Sequence, residues 1–371
     1  MSLVIGVSTQ EMWKTTGLSL CFVHRNRACR VGVFRLLPGS PLKYTSAHPK
    51  FQCKSMNIKC FNAAVLLSVG LLLSACSVFS PEPVPQTPSP VVEPLKVREP
   101  VVALVLGGGG VKGFAHVGVI KVLESHGIKP DIVVGTSAGS FVGAMYASGM
   151  NAYELQRVAL GIQETDIRDL TLNSKGFLIG EKLQQFVNAQ VKNKPIQSFP
   201  IRYSAVATDL QSGEKVTFNY GNAGQAVRAS CSIPNVFLPT QIGNRQFVDG
   251  GLVSPVPVNT ARDMGADVVI AVDISARPKK GVGNLGWWGL LDQSINILSQ
   301  QAIKAELARA DVVIQPSVQH ADALNLDQRH EFLLEGERVA QKVVPNIQAA
   351  IAAAKQRLVL ESAAAQVSKS K

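Results

Sequence analysis

Cysteine is scarce where a disulfide framework would need it. Of six in 371 residues, Cys21, Cys29, Cys53 and Cys60 come early, Cys76 follows, and Cys231 stands alone in the rest of the chain. No Cys/His ligand spacing can be drawn from that set, so neither a metal nor any other cofactor is expected. Histidine is nearly as rare, with six. An uninterrupted apolar run of about 20 residues, the length a membrane-spanning helix needs, is also missing. Charged residues make up 17%, and the formal balance of +11 is uneven: the first 75 residues hold nine Lys or Arg against Glu11 alone, leaving +3 from Cys76 onward. A basic surface suited to nucleic acid is therefore not expected, and no protein partner can be inferred. What remains, at 46% hydrophobic residues, is ample for one large globular core.

Lys59 gives Met56–Ser77 a short basic start; an apolar stretch follows, ending at Leu73, and small residues precede Cys76. That order is the pattern of a secretion signal. Leu73-Ser74-Ala75-Cys76 resembles the bacterial lipoprotein lipobox, which implies Cys76 as the lipid attachment site; a plain buried helix or membrane anchor is the competing reading. Residues 1–55 are then expected to be a non-native N-terminal extension, with translation starting at Met56, and 56–75 a lipoprotein signal peptide. Residues 76–100 carry seven prolines and read as an extended tether. Ser77 after Cys76 resembles lipoproteins sent to the outer membrane, so the expected location is the bacterial cell envelope, on the periplasmic side of the outer membrane.

From 101 to 371 a catalytic domain is expected, with a motif core at 101–273 and a helical part at 274–371. Strand-like runs (Val101–Leu106, Asp131–Val134, Arg202–Thr208, Ala266–Asp273) alternate with helical patterns (Phe114–His126, Glu181–Val191, Val258–Met264, Gln293–Arg309, Asp327–Leu360). This alternation predicts an α/β fold with a mainly parallel central sheet covered by helices on both faces. The organising stretch is Gly135-Thr136-Ser137-Ala138-Gly139, where a β-branched strand ends and a helix begins. A serine at such a turn is held off the sheet at a helix N-terminus, where an attacked carbonyl can be stabilised. Ser137 is the candidate nucleophile.

Gly107–Gly113 follows the first strand, and Gly108, Gly110 and Gly113 satisfy a Gly-x-Gly-x-x-Gly spacing. Phosphate cradling, oxyanion binding by backbone amides and a plain structural turn all fit. The nucleotide reading needs an acidic residue at the end of the next strand; Asp131 opens that strand instead. The two turns lie some 25 residues apart in one β-α-β-α unit, which places them at one sheet edge, where donors and Ser137 can converge.

A serine hydroxyl needs a base. His116 and His126 precede Ser137, while His320 and His330 stand in polar surroundings and read as solvated surface. Asp249, at the mouth of a strand and followed by Gly250-Gly251, has the better setting, although the same triplet could be a simple turn.

The three turns together resemble the patatin-like phospholipase family. They stand here as Gly108-Gly109-Gly110-Val111-Lys112-Gly113, Gly135-Thr136-Ser137-Ala138-Gly139 and Asp249-Gly250-Gly251, with Ala229–Pro234 and Phe237-x-Pro239 resembling the segment that precedes the aspartate. The resemblance covers Val101 to Asp273, and the C-terminal part is similar to the bacterial, neuropathy-target-esterase-like branch. It implies a three-layer α/β/α fold, Ser137 as nucleophile, Asp249 as proton acceptor, and an oxyanion hole at Gly108, Gly109, Gly110, Lys112 and Gly113. It also implies hydrolysis of phospholipid or lysophospholipid esters through an acyl-serine. A catalytically inactive lipid-binding lipoprotein and a Ser-His-Asp esterase of α/β-hydrolase type are the alternatives. Trp287-Trp288 reads either as core packing or as an interfacial foot.

Overall fold

The computed structural model describes residues 19–21, 31–33, 97–173, 176–275, 287–318 and 326–369. The chain divides into two units, Met1–Pro90 and Val91–Lys371. In the first, Ser19–Cys21 pairs antiparallel with Val31–Val33. The expected signal peptide, Cys76 and all of the tether before residue 97 lie outside the described residues.

The second unit is built on strands β1 (Val102–Leu106), β2 (Ile132–Thr136), β3 (Arg202–Asp209), β4 (Lys215–Phe218), β5 (Thr240–Ile242), β6 (Arg245–Asp249), β7 (Val268–Val272) and β8 (Val312–Ile314). Its main helices are α1 (Phe114–Ser125), α2 (Ala138–Ala147), α3 (Ala152–Gly161), α4 (Glu181–Gln190), α5 (Ala223–Ser230), α6 (Val258–Asp263), α7 (Trp287–Leu307) and α8 (Arg329–Lys369). Hydrogen-bonded neighbours run β8-β7-β1-β2-β3-β6-β5, with β4 also on β3.

β1, β2 and β7 are apolar or small at nearly every position and buried throughout. That is the composition of parallel strands covered on both faces, and β8, β7, β1, β2 and β3 are mutually parallel. Side chains alternate between the faces. Leu104 and Leu106 feed a core shared with α1, α2, α3 and α8, while Ala103 and Val105 meet Val258 and Ala261 of α6 on the other side. The result is the expected three-layer α/β/α arrangement. α3 starts on a reciprocal cap in which Asn151 Oδ1 accepts from the Glu154 amide and Glu154 Oε2 from the Asn151 amide, a device that satisfies two free helix-end donors.

Two features that add to the expected, mainly parallel sheet matter for the site. The sheet is mixed, since β4 and β6 run antiparallel to β3 and β5 antiparallel to β6. A small ribbon, Leu170–Asn173 paired with Gly176–Leu178, lies in the polar stretch before α4. Two helices also extend past their expected ends, α7 beginning at Trp287 and α8 continuing to Lys369; apolar periodicity fades at the ends of long helices while the backbone ladder continues.

The pairing registers explain how two distant segments meet. Val206 of β3 pairs with Thr136 of β2 and with Thr217 of β4, while Ala207 pairs with Asp249 of β6 and with Val216 of β4. A strand residue has one neighbour on each edge. With β4 occupying one edge at both positions, β2 and β6 must share the other. They run toward each other along it, and their last residues, Thr136 and Asp249, stand opposite consecutive residues of β3.

Candidate active site

The head-on meeting of β2 and β6 delivers Ser137 and Asp249 to one place. Ser137 is the N-cap of α2 at φ 52 and ψ −124, a left-handed conformation that costs a non-glycine residue about 1–2 kcal/mol. The flanking glycines are required by contact distance. A Cβ at Gly135 would lie 2.3 Å from the Gly139 carbonyl oxygen, and one at Gly139 would lie 2.0 Å from that of Leu106. α2 can therefore approach β1 and β2 only with hydrogen at both positions. The same holds at Gly250, where a Cβ would lie 2.1 Å from Val206 O, so the turn after Asp249 sits directly on β3.

Asp249 is 6% exposed, as is Ser137. Its backbone is fixed by Thr208 Oγ1, which donates to Asp249 O at 2.9 Å, and by its own amide, which donates to Ser232 O at 2.9 Å. Carboxylate Oδ1 accepts from the Gly251 amide at 2.7 Å; Oδ2 is buried without a partner. Burial raises the carboxyl from 3.8 to about 6, against the opposing pull of the neighbouring Ser137 hydroxyl and the Gly251 amide. The hydroxyl is near enough to act electrostatically but does not meet hydrogen-bond geometry with Oδ2. Catalytic hydrogen bonds are commonly loose before substrate arrives. A carboxyl poised near 6 is a far better base at neutral pH than one at 3.8.

The segment Ser230-Cys231-Ser232 links the two. Ser230 Oγ accepts from the Ser137 amide at 2.9 Å and donates to Val206 O at 2.6 Å. Cys231 Sγ lies 3.8 Å from Ser140 Oγ, and burial followed by the nearby Asp249 charge pushes its thiol well above the ordinary range. Sequence reasoning recognised this segment by resemblance but assigned it no role; its signal was a run of small hydroxyl residues 17 positions or so before Asp249. Below it, Thr136 Oγ1 donates to Ser254 O, and Ser254 Oγ donates to buried Glu306 Oε1 at 2.7 Å. The exit from the Asp249 turn is thus tied to α7.

The glycine loop stands beside the serine. A Cβ on Gly108 would be 3.3 Å from Ser137 Cβ, and one on Gly113 would be 2.8 Å from Ala138 Cβ. The Gly108 amide donates to Pro255 O at 2.9 Å and the Lys112 amide to Gly109 O at 3.3 Å, whereas the Gly109 and Gly110 amides have no acceptor among the described residues. Those two are free to bind an oxyanion. Lys112 is 3% exposed. His116, fully buried, shares a 2.8 Å hydrogen bond with Gly107 O through Nε2 and is lowered to about 4 by burial; as the neutral imidazole, it donates there and holds the start of the loop. Asp131 binds the Val102 amide at 2.8 Å, at the opposite end of β1 from the loop, which removes the acid that a dinucleotide site would need.

His126 caps the end of α1 and His330 lies in the first turn of α8; His320 and the side chains of Trp287 and Trp288 lie outside the described residues. Among the described residues, no three His, Cys, Asp or Glu side chains cluster as metal ligands do, and no helix is long and apolar enough to cross a membrane.

Ser137 also lines a cavity of about 160 Å³ whose wall is almost entirely apolar, including Val117, Phe141, Met145, Leu155, Ala159 and Phe237. Arg168, paired with Glu164 at 2.6 Å, is its charged member.

A strained serine at a helix N-terminus, with a buried carboxyl beside it and a glycine loop alongside, defines an α/β domain of nucleophile-elbow type. Residues 104–262 match the family model of patatin-like phospholipases. An uncharacterized NTE family protein of Mycobacterium tuberculosis is 38% identical over 192 residues, 50% of this chain and 53% of the relative. Lysophospholipase NTE1 of Coccidioides immitis is 34% identical over 203 residues, 52% of this chain and 13% of that protein. The chain thus spans about half the length of the mycobacterial relative and a small part of the fungal one. Among solved structures, VipD from Legionella pneumophila is similar with a TM-score of 0.46 at 14% identity, covering 67% of each chain. Residues 104–262 thus form a patatin-like phospholipase domain, similar in sequence to NTE family proteins.

Proposed function

We propose that the protein is a serine acyl hydrolase that cleaves carboxylic esters of membrane phospholipids or lysophospholipids through a Ser137–Asp249 dyad. The observation that carries this reading is the buried, unpartnered Asp249 Oδ2 beside a strained Ser137 at the mouth of an apolar cavity. Ser137 Oγ attacks the ester carbonyl carbon as Asp249 takes its proton. The Gly109 and Gly110 amides stabilise the oxyanion, with Gly108, Lys112 and Gly113 framing the loop. Collapse expels the alcohol, which recovers the proton from Asp249. Water activated by Asp249 then releases the acid from acyl-Ser137.

The test is fluorophosphonate labelling and ester turnover of the full chain beside Ser137→Ala and Asp249→Asn. Labelling that Ser137→Ala abolishes, together with loss of turnover in both variants, is expected; turnover retained by either folded variant refutes the dyad. The same reading places the protein at a bacterial envelope membrane through a lipid on Cys76. Incorporation of labelled palmitate that Cys76→Ser abolishes is the expected result there, and incorporation unchanged by the substitution refutes it.

A further inference from the structure

The chemistry at Ser137 needs room only for a carbonyl carbon and its substituents, yet the cavity continues away from it along α2. Ser137, Phe141 and Met145 follow at i, i+4 spacing on one helix face. With a rise of 1.5 Å per residue, Met145 lies about 12 Å beyond the serine. There α3 crosses and supplies Leu155 and Ala159, again at i, i+4, with Val117 of α1 beside them. These residues are deep: Met145, Leu155 and Val117 are at most 2% exposed and Ala159 is 7%. The residues nearer the serine loop and the surface, such as Val111, Phe114, Ile233 and Phe237, are half-buried. The cavity therefore has an open end and a closed one.

Two measures size its occupant. An extended acyl chain advances about 1.25 Å per carbon for C–C bonds near 1.5 Å, so a wall of about 12 Å matches about ten carbons. The volume, about 160 Å³, gives the lower bound, since an apolar cavity of about 150 Å³ holds a six-carbon ring. We propose that the cavity takes one acyl chain of medium length, about six to ten carbons, and that Met145 and Ala159 form the stop that sets this limit. This rests on the acyl-hydrolase reading and names the part of the substrate that the site selects. Met145 is unbranched and lines the cavity near the end of α2. Ala159 is the smallest side chain of the far wall, so enlarging it shortens the path.

The experiment uses the full chain, with Met145→Ala, Met145→Val, Ala159→Val and Ala159→Leu, and p-nitrophenyl esters from acetate to palmitate at one detergent concentration. In the wild type kcat/KM rises about fourfold for each buried carbon, reaches a maximum at medium length and then falls. The Met145 variants move the maximum to longer chains by about two carbons and the Ala159 variants move it to shorter ones; two substitutions at each position guard against a single variant that does not fold. In parallel, the thermal shift of Ser137→Ala with free fatty acids from hexanoate to myristate reads the same limit without turnover, and the same wall substitutions in that background move it likewise. Ester cleavage whose maximum stays fixed in every folded variant overturns the stop while leaving the hydrolase intact. Absence of ester cleavage with fatty-acid limits that still move overturns the hydrolase and supports the stop. Fatty acids that give no chain-length limit overturn the proposal.

Discussion

Replacing Asp249 with asparagine should abolish turnover and remove a pH-dependent penalty that the wild type carries at neutral pH. Burial is the dominant cause of the raised carboxyl, which moves from 3.8 to about 6 despite help from the Ser137 hydroxyl and the Gly251 amide. A folded-state value above the unfolded one means that ionisation disfavours the fold. The stability associated with the protonated carboxyl is fully present below about pH 4 and is lost as pH rises through about 6. Two pH units at 1.36 kcal/mol each make the loss about 3 kcal/mol. Asparagine does not ionise, so the difference between Asp249→Asn and wild type should grow by about 2 kcal/mol from pH 4.5 to pH 7.5, the rest of the loss falling below pH 4.5, and stay level above that. The unpaired NH₂ that asparagine brings adds a pH-independent cost of about 1–3 kcal/mol, which shifts the whole difference curve without altering its slope. His116, lowered from 6.5 to about 4 by burial, acts with the opposite sign: its stabilising contribution is present above 6.5 and is lost as pH falls. It is common to both proteins and cancels. Urea unfolding of both at four pH values, followed by tryptophan fluorescence, measures the difference, and the wild-type pH profile supplies the kinetic counterpart. kcat/KM should climb tenfold per pH unit below about 6 and level above it, because the base must be ionised. Stability curves that run parallel across this range would refute the argument that Asp249 is held as a buried, poised carboxylate.

Two further substitutions separate strain from chemistry. Ser137→Gly should be inactive yet more stable than Ser137→Ala by about 1 kcal/mol, because glycine adopts the left-handed conformation freely; equal unfolding midpoints would argue that the elbow stores no strain. Ser230→Ala should cost about 1–3 kcal/mol, leaving the buried Ser137 amide without its acceptor, and should lower kcat more than it raises KM, because it loosens the nucleophile rather than the cavity. A Ser230→Ala enzyme with an unchanged kcat would remove this serine from the positioning of Ser137.

Much of this arrangement was legible in the sequence because its requirements are local. Gly135 is demanded by a distance of 2.3 Å to Gly139 within one strand-turn-helix unit, and Gly139 by 2.0 Å to Leu106 of the neighbouring strand, so the spacing of the motif carries much of its own geometry. The parallel strands declare themselves as continuous apolar runs, and three layers follow from their alternation with helices. What the string of residues does not carry is non-local register. Nothing in Arg245–Asp249 says that it pairs antiparallel to β3 and meets β2 end to end, because the side chains of a strand record which faces are buried but not which strand lies beside it or at what register. The Ser230 contact escaped for the same reason, as its hydroxyl is 93 residues from the amide it accepts from. The register has a chemical consequence. Ser137 follows one strand and Asp249 ends another, and the last residues of those strands face Val206 and Ala207 of β3, so the separation of Ser137 and Asp249 is set by one peptide step of a third strand. Val206 also receives the Ser230 hydroxyl and lies under Gly250. One carbonyl of β3 therefore accepts from the Ser230 hydroxyl that holds the Ser137 amide and packs against the turn after Asp249, so both residues rest on the same support.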